Sequence, residues 1–169
     1  MRIMGIDPGT KGAWVVLDES ADIVKYGVMP YEKVDNLGAV KNHLNSTHLM
    51  DDFKYIDYID HTFCEMPTPY GMNGKAAFTY GFSFCALVFS ICDMSPVYVK
   101  PGEWTKELHQ DEPKHYKTKA KSANVFEKLF KGFEFEDVSK AHREGLTDAA
   151  LIAYYGLTLI KQGDTNGTP

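Results

Sequence analysis

Cysteine is scarce: Cys64, Cys85 and Cys92 are the only three in 169 residues, with no C-x-x-C pair and no zinc-ligand spacing. Both a disulfide framework and a structural zinc site are therefore excluded. The three read instead as buried, reduced thiols of a cytosol-like compartment, with Cys85 and Cys92 seven apart on one helical face. Long apolar runs are also missing, since no stretch approaches the ~20 residues of a membrane span. The opening residues do not read as a signal peptide, because strand-like sequence begins at Arg2 and reaches an acid by Asp7. Nor is there a nucleotide-binding P-loop: "GMNGKA" lacks both the four-residue spacer and the hydroxyl after lysine. No repeat and no interdomain linker occurs, so the expectation is one domain over residues 1–161 and a flexible polar tail, "QGDTNGTP", over 162–169.

The composition is that of a folded protein, 44% hydrophobic and 24% charged. A net charge of −5 argues against a nucleic-acid partner when taken alone. Its distribution argues the other way. Residues 113–131, "PKHYKTKAKSANVFEKLFK", hold six lysines against one glutamate, which leaves the rest of the chain strongly acidic.

The first third reads as three short strands, "RIMGID", "AWVVLDE" and "DIVKYGVM", joined by tight turns and so antiparallel. Residues 32–45 carry Val34, Leu37, Val40 and Leu44 at helical spacing. A strand over 58–66 stops at Pro67, and residues 76–94 are apolar nearly all round, as in a helix that is buried or shared with a partner. After a short strand, "SPVYVKP", come helices at "GEWTKEL" and "KSANVFEKLFKGF", and a long one over 142–161. This order predicts an α/β fold: a five-stranded mixed sheet, three antiparallel strands and then two added by helical crossovers, flanked by helices.

Four carboxylates converge on that scaffold. Asp7 and Glu65 close otherwise apolar strands at their C-terminal ends, and alternation puts Asp7 on the face of Ile3 and Gly5, and Glu65 on that of Phe63. Pro8 and Gly9 end the first strand abruptly, so Asp7 is expected to stand exposed at the sheet's tip rather than paired within it. Glu144 and Asp148, four apart, lie on the helical row that continues through Leu151, Ile152, Tyr155 and Leu159. The helix dipole accounts for an acid in the first turn, but not for Asp148 a turn further in. Gathered acids oppose ionisation unless a cation joins them, and an all-oxygen shell suits Mg²⁺ or Mn²⁺. His142, two residues before Glu144, is either a cap on the surface or a proton donor beside the acids.

"GIDPGTKGAWVVL", "FCEMP", "VYVKPGEWTKEL" and "HREGLTDAALIAYYGL" resemble, in order, the RuvC family of Holliday-junction resolvases, and its short phage-type members most. The resemblance implies an RNase-H-like fold, a homodimer, and a structure-selective endonuclease of a bacterial cytoplasm that resolves four-way DNA junctions. It implies two Mg²⁺ ions per site (Mn²⁺ able to substitute) and symmetric nicks that leave 5′-phosphate and 3′-hydroxyl ends. Carried over by position, Asp7, Glu65, Glu144 and Asp148 become the catalytic and metal-ligating acids, with Asp7 bridging. The chain departs from the bacterial spacing at one point. There the two helix acids stand three apart, whereas Gly145 occupies that place here, so Glu144 fills the role from one residue further back and His142 is its rival.

Attraction for DNA falls to Lys114, Lys117, Lys119 and Lys121, which suit phosphate contact. In the loop after Glu65, Tyr70, Asn73 and Lys75 are expected beside the metals, with Tyr70 and Phe78 as stacking candidates. Trp104 reads as packing. The apolar 76–94 helix suits a two-fold interface that matches a junction's own symmetry. Rival readings are a general branched-DNA or transposase-like nuclease on the same fold, and a non-catalytic junction-binding protein. An actin-like ATPase reading fails for want of a second phosphate loop.

Overall fold

Alternation of apolar side chains in the first strand decides how the layers form. The computed structural model describes residues 1–36, 39–68 and 74–163, the side chains at 35–36, 39–41, 75–76 and 79 excepted. Strands β1 (Arg2–Asp7), β2 (Ala13–Asp18) and β3 (Ile23–Val28) form the expected antiparallel meander. Strand β6 (His61–Glu65) runs parallel to β1, and β7 (Val97–Val99) parallel to β6. The order β3-β2-β1-β6-β7 puts β1 at the centre. Its Ile3, Met4 and Ile6 are fully buried, on opposite faces of the sheet. Ile3, Val15, Leu17 and Phe63 pack with helices α3 (Pro101–Leu108), α4 (Thr118–Leu129) and α5 (Lys140–Lys161). Met4, Ile6, Trp14, Val16 and Cys64 pack with α1 (Ser46–Lys54) and α2 (Gly74–Ile91), the latter followed by a 3₁₀ turn, Cys92–Met94.

The long helix α5 lies directly on β1, and glycine makes that approach possible. A Cβ at Gly5 would stand 2.2 Å from the Ala149 carbonyl oxygen and 2.4 Å from the Ala153 nitrogen. A Cβ at Gly145 would stand 2.2 Å from the Lys11 carbonyl oxygen in the β1–β2 turn. Two close backbone contacts thus set α5 against the strand that ends in Asp7. Gly145, the departure from the bacterial spacing, serves this packing.

Three expectations need correction. The segment 32–45 is not a helix but a hairpin, β4 (Tyr31–Asn36) and β5 (Ala39–Leu44), paired from Tyr31↔Leu44 to Asn36↔Ala39. The period-3.6 pattern there competed with β-branched valines and with Asn36 and Gly38, residues typical of hairpin turns, and the hairpin won. The helix begins where the predicted one ended: the Asn45 side chain accepts from the His48 backbone N–H and caps α1. Second, only Cys64 is buried; Cys85 and Cys92 are exposed. The cause is that α2 is apolar on both faces yet covered on one, with Leu87 and Ile91 inside while Phe78, Phe82 and Phe89 are 76%, 58% and 71% exposed. Third, Asp7 is not exposed past the end of its strand. It remains in register with Ala13 and is half-buried. Among the described residues, no helix is long and apolar enough to cross a membrane.

Candidate active site

Where β1 and β6 end, under the N-terminal half of α5, three of the four predicted acids are half-buried and act on one another, and the exposed fourth, Glu144, adds its charge to Asp148. Burial, and the charges of Glu65 and Asp148, push the Asp7 carboxyl up to about 8, against an opposing pull from Lys119. Asp148 is pushed up to about 6, mainly by burial, with Ser122 and Lys119 pulling the other way. Burial also raises Glu65, while a hydrogen bond from Trp104 favours its charged form. Each acid comes from a different element (β1, β6 and α5), and the Gly5 and Gly145 contacts bring α5 down onto β1.

Glu144 behaves differently. It is exposed, and the Lys119 ammonium, with which it forms an ion pair, holds its carboxyl below the usual range. Among the described side chains, Lys119 is thus the one predicted DNA-contacting lysine that reaches the acids, since its charge also bears on Asp7 and Asp148. Lys114 and Lys117 are exposed and Lys121 is half-buried; none of these three is among the charges acting on the acids. His142 Nδ1 lies 3.0 Å from the hydroxyl of Ser139, the N-cap of α5, and no side chain caps the backbone at that helix end. Tyr70 and Asn73 lie outside the described residues, as does the side chain of Lys75.

Several site residues had no sequence signal strong enough to single them out. Trp104 does pack, being 3% exposed, but its Nε1–H also donates to Glu65 Oε2 at 2.7 Å. Ser122, on α4, lines the same groove as Asp148, and its hydroxyl favours the charged form of that carboxyl. The Tyr80 hydroxyl, from α2, donates to the Pro8 carbonyl and ties down the turn that follows Asp7. Beside Asp148, a groove of about 250 Å³ between α4 and α5 is lined by Lys119, Lys140 and Arg143 among others. A carboxylate can be anticipated at a strand end; a tryptophan N–H aimed at it depends on where a later helix docks.

The donor set suits a divalent cation. All three acids offer hard oxygen ligands, and burial with the neighbouring charges raises Asp7 to about 8, a cost that a bound cation would offset. Among the described residues, no group of three or more His, Cys, Asp or Glu side chains is placed to hold a metal ion by itself. Mg²⁺ does not need one, because it keeps several waters and is commonly held by one or two carboxylates.

No protein-family model matches the sequence, and no curated protein matches it. Solved structures do match in fold. Thermus thermophilus RuvC in complex with a Holliday junction substrate superposes with a TM-score of 0.66 at 15% identity, covering 96% of each chain. Another structure of Thermus thermophilus RuvC gives a TM-score of 0.56 at 14% identity, over 96% of this chain and 97% of that one. The chain has a RuvC-like, RNase-H-like fold over 96% of its length.

Proposed function

We propose that this protein is a divalent-metal-dependent endonuclease that resolves four-way DNA junctions. The observation that carries the reading is the convergence of Asp7, Glu65 and Asp148, from three elements, into one cluster where burial first, and then the charges of Glu65 and Asp148, raise Asp7 to about 8. Likeness to a RuvC bound to junction DNA supplies the substrate class. Two Mg²⁺ ions, or Mn²⁺ in their place, would supply Lewis-acid activation of the attacking water and of the departing 3′ oxygen.

The chain's own residues do the rest. Asp7, on the central strand, would hold the cations together with Glu65 and Asp148, and its carboxyl would give up its proton to do so. Glu65 is oriented by the hydrogen bond from Trp104, and the Ser122 hydroxyl favours the charged form of Asp148. Glu144, the fourth acid, joins them by releasing Lys119, and the freed ammonium then meets a phosphate. Lys119, Lys140 and Arg143 line the groove that leads to Asp148, so a strand laid in it brings its backbone to the acids with its negative charge offset. The exposed lysines at 114 and 117 extend the same attraction.

A homodimer fits the reading. Phe78, Phe82 and Phe89 recur at helical spacing on the open face of α2, and a second copy would cover that face. Two sites related by a two-fold axis would then nick opposing strands and leave 5′-phosphate and 3′-hydroxyl ends.

The test is cleavage of an end-labelled four-way junction with Mg²⁺, Mn²⁺ or EDTA, beside a linear duplex of the same sequence. Paired nicks in opposing arms, present with either metal and absent with EDTA, are expected. Equal cutting of the duplex would leave only a general nuclease, and tight binding without cuts would leave a junction-binding protein.

A further inference from the structure

Behind the acids, a run of buried side chains links Glu65 to Asp148 through the protein interior. Trp104 on α3 donates its Nε1–H to Glu65 Oε2 at 2.7 Å. His109, the C-cap of α3, packs edge-on against the Trp104 ring, with centroids 5.7 Å apart and planes at 78°. The Nε2 atom of His109 lies 3.3 Å from Ser122 Oγ, and the Ser122 hydroxyl lines the same groove as Asp148 and favours its charged form. Trp104, His109 and Ser122 are 3%, 8% and 3% exposed.

Counting protons along this run decides its chemistry. A serine hydroxyl has a single proton, and an ionised carboxylate can only accept. Ser122 therefore cannot give its proton to both neighbours; giving it to Asp148 leaves its oxygen to accept from a His109 that carries its proton on Nε2. Burial and the nearby Lys121 charge keep that imidazole neutral, consistent with one defined tautomer. Packing alone does not account for the polar atoms. Phenylalanine at 104 would supply a ring and alanine at 122 a small residue, without buried groups that cost free energy unless bonded.

We propose that Trp104, Ser122 and His109 are positioning residues. Helix α3 and the first turns of α4 form a bracket that fixes the Glu65 and Asp148 carboxylates before any cation arrives. The inference rests on the reading of Asp7, Glu65 and Asp148 as metal ligands. Loss of a partner behind a metal ligand typically lowers metal affinity by about 10–100-fold, through disorder of the ligand rather than loss of a contact to the ion.

The experiment compares wild type with Trp104→Phe, Ser122→Ala and the hydroxyl-retaining Ser122→Thr. Three quantities are read for each: melting temperature in EDTA, the rise in melting temperature on titrating Mn²⁺ without DNA, and junction affinity in EDTA. Trp104→Phe and Ser122→Ala should each raise the half-saturating Mn²⁺ concentration by about tenfold. Junction affinity should stay within about twofold of wild type, because the phosphate-facing lysines are untouched, and Ser122→Thr should restore metal affinity. Half-saturation unchanged in both variants, or moving only in step with lost EDTA stability, overturns the bracket. Metal uptake is read here without DNA, so a wild type that binds Mn²⁺ but cuts no junction would sink the nuclease reading alone. A wild type that shows no Mn²⁺ response would sink both.

Discussion

Replacing Asp7 by asparagine should make the metal-free protein more stable while abolishing its cleavage. The Asp7 carboxyl rises from an ordinary 3.8 to about 8 on folding. The folded chain therefore holds a proton that the unfolded chain has shed throughout that interval. Stability must fall as pH rises from about 4 to about 8, with the full penalty present above the upper value. At roughly 1.4 kcal/mol per unit, the whole shift sets a ceiling of about 6 kcal/mol. Lys119 and the half-exposed edge of the site relax part of this, and an asparagine amide still has to be desolvated, so a net gain of ~2 kcal/mol is the working expectation. In a domain of this size that corresponds to a rise of roughly 4–8 °C in melting temperature.

The assay is a series of thermal melts in EDTA from about pH 5 to about pH 8.5, a span that brackets the titration. The Asp7→Asn variant should melt above wild type at the alkaline end, with the gap closing towards the acid end, where Asp7 is itself neutral. Mg²⁺ should then reverse the order, because a ligand at a hundredfold excess over its dissociation constant adds about 2.7 kcal/mol to the protein that binds it. A variant less stable than wild type at alkaline pH in EDTA, or a gap that does not change with pH, would refute the reasoning. Either result would mean that Asp7 is ionised and already satisfied in the bare fold.

Other outcomes follow from the same geometry. Gly5→Ala should lower the urea midpoint by the equivalent of about 3 kcal/mol, because its Cβ would meet α5 backbone rather than a flexible side chain; an unchanged midpoint would show that the helix can move aside. Phe89→Glu should give a folded monomer by sedimentation, since a charge on the open face of α2 opposes pairing while leaving the core alone; a persistent dimer would place the interface elsewhere. Neutralising Lys119, Lys140 and Arg143 together should weaken junction binding and reduce its log–log salt slope by roughly 2–3, and a slope that stays the same would put the DNA path on another surface.

The sheet was legible because it rests on local rules. Short apolar strands with tight turns imply a meander, and an acid before Pro-Gly or just before Pro67 marks a strand end. Asp7, Glu65 and Asp148 could be brought together from alternation and helical spacing alone. The hairpin at 31–44 was not legible, because four apolar residues in fourteen satisfy a helical period and valine-rich strands equally well. The partner of Glu144 was hidden for a related reason: the helical row places the acid, yet nothing local shows that Lys119, twenty-five residues earlier, meets it on the surface. Trp104 and Ser122 were hidden more deeply still, since their roles depend on how α3 and α4 dock, a long-range outcome with no periodicity of its own. The exposed cysteines repeat the point, for hydropathy alone does not say which face of an apolar helix the fold covers.

The most direct test of the central claim is an anomalous difference map from crystals of the wild-type protein soaked in Mn²⁺. The account predicts manganese peaks against the carboxylates of Asp7, Glu65 and Asp148, with Lys119 drawn away from Glu144. A map without peaks there, while Mn²⁺ binds at other surface acids, would contradict it.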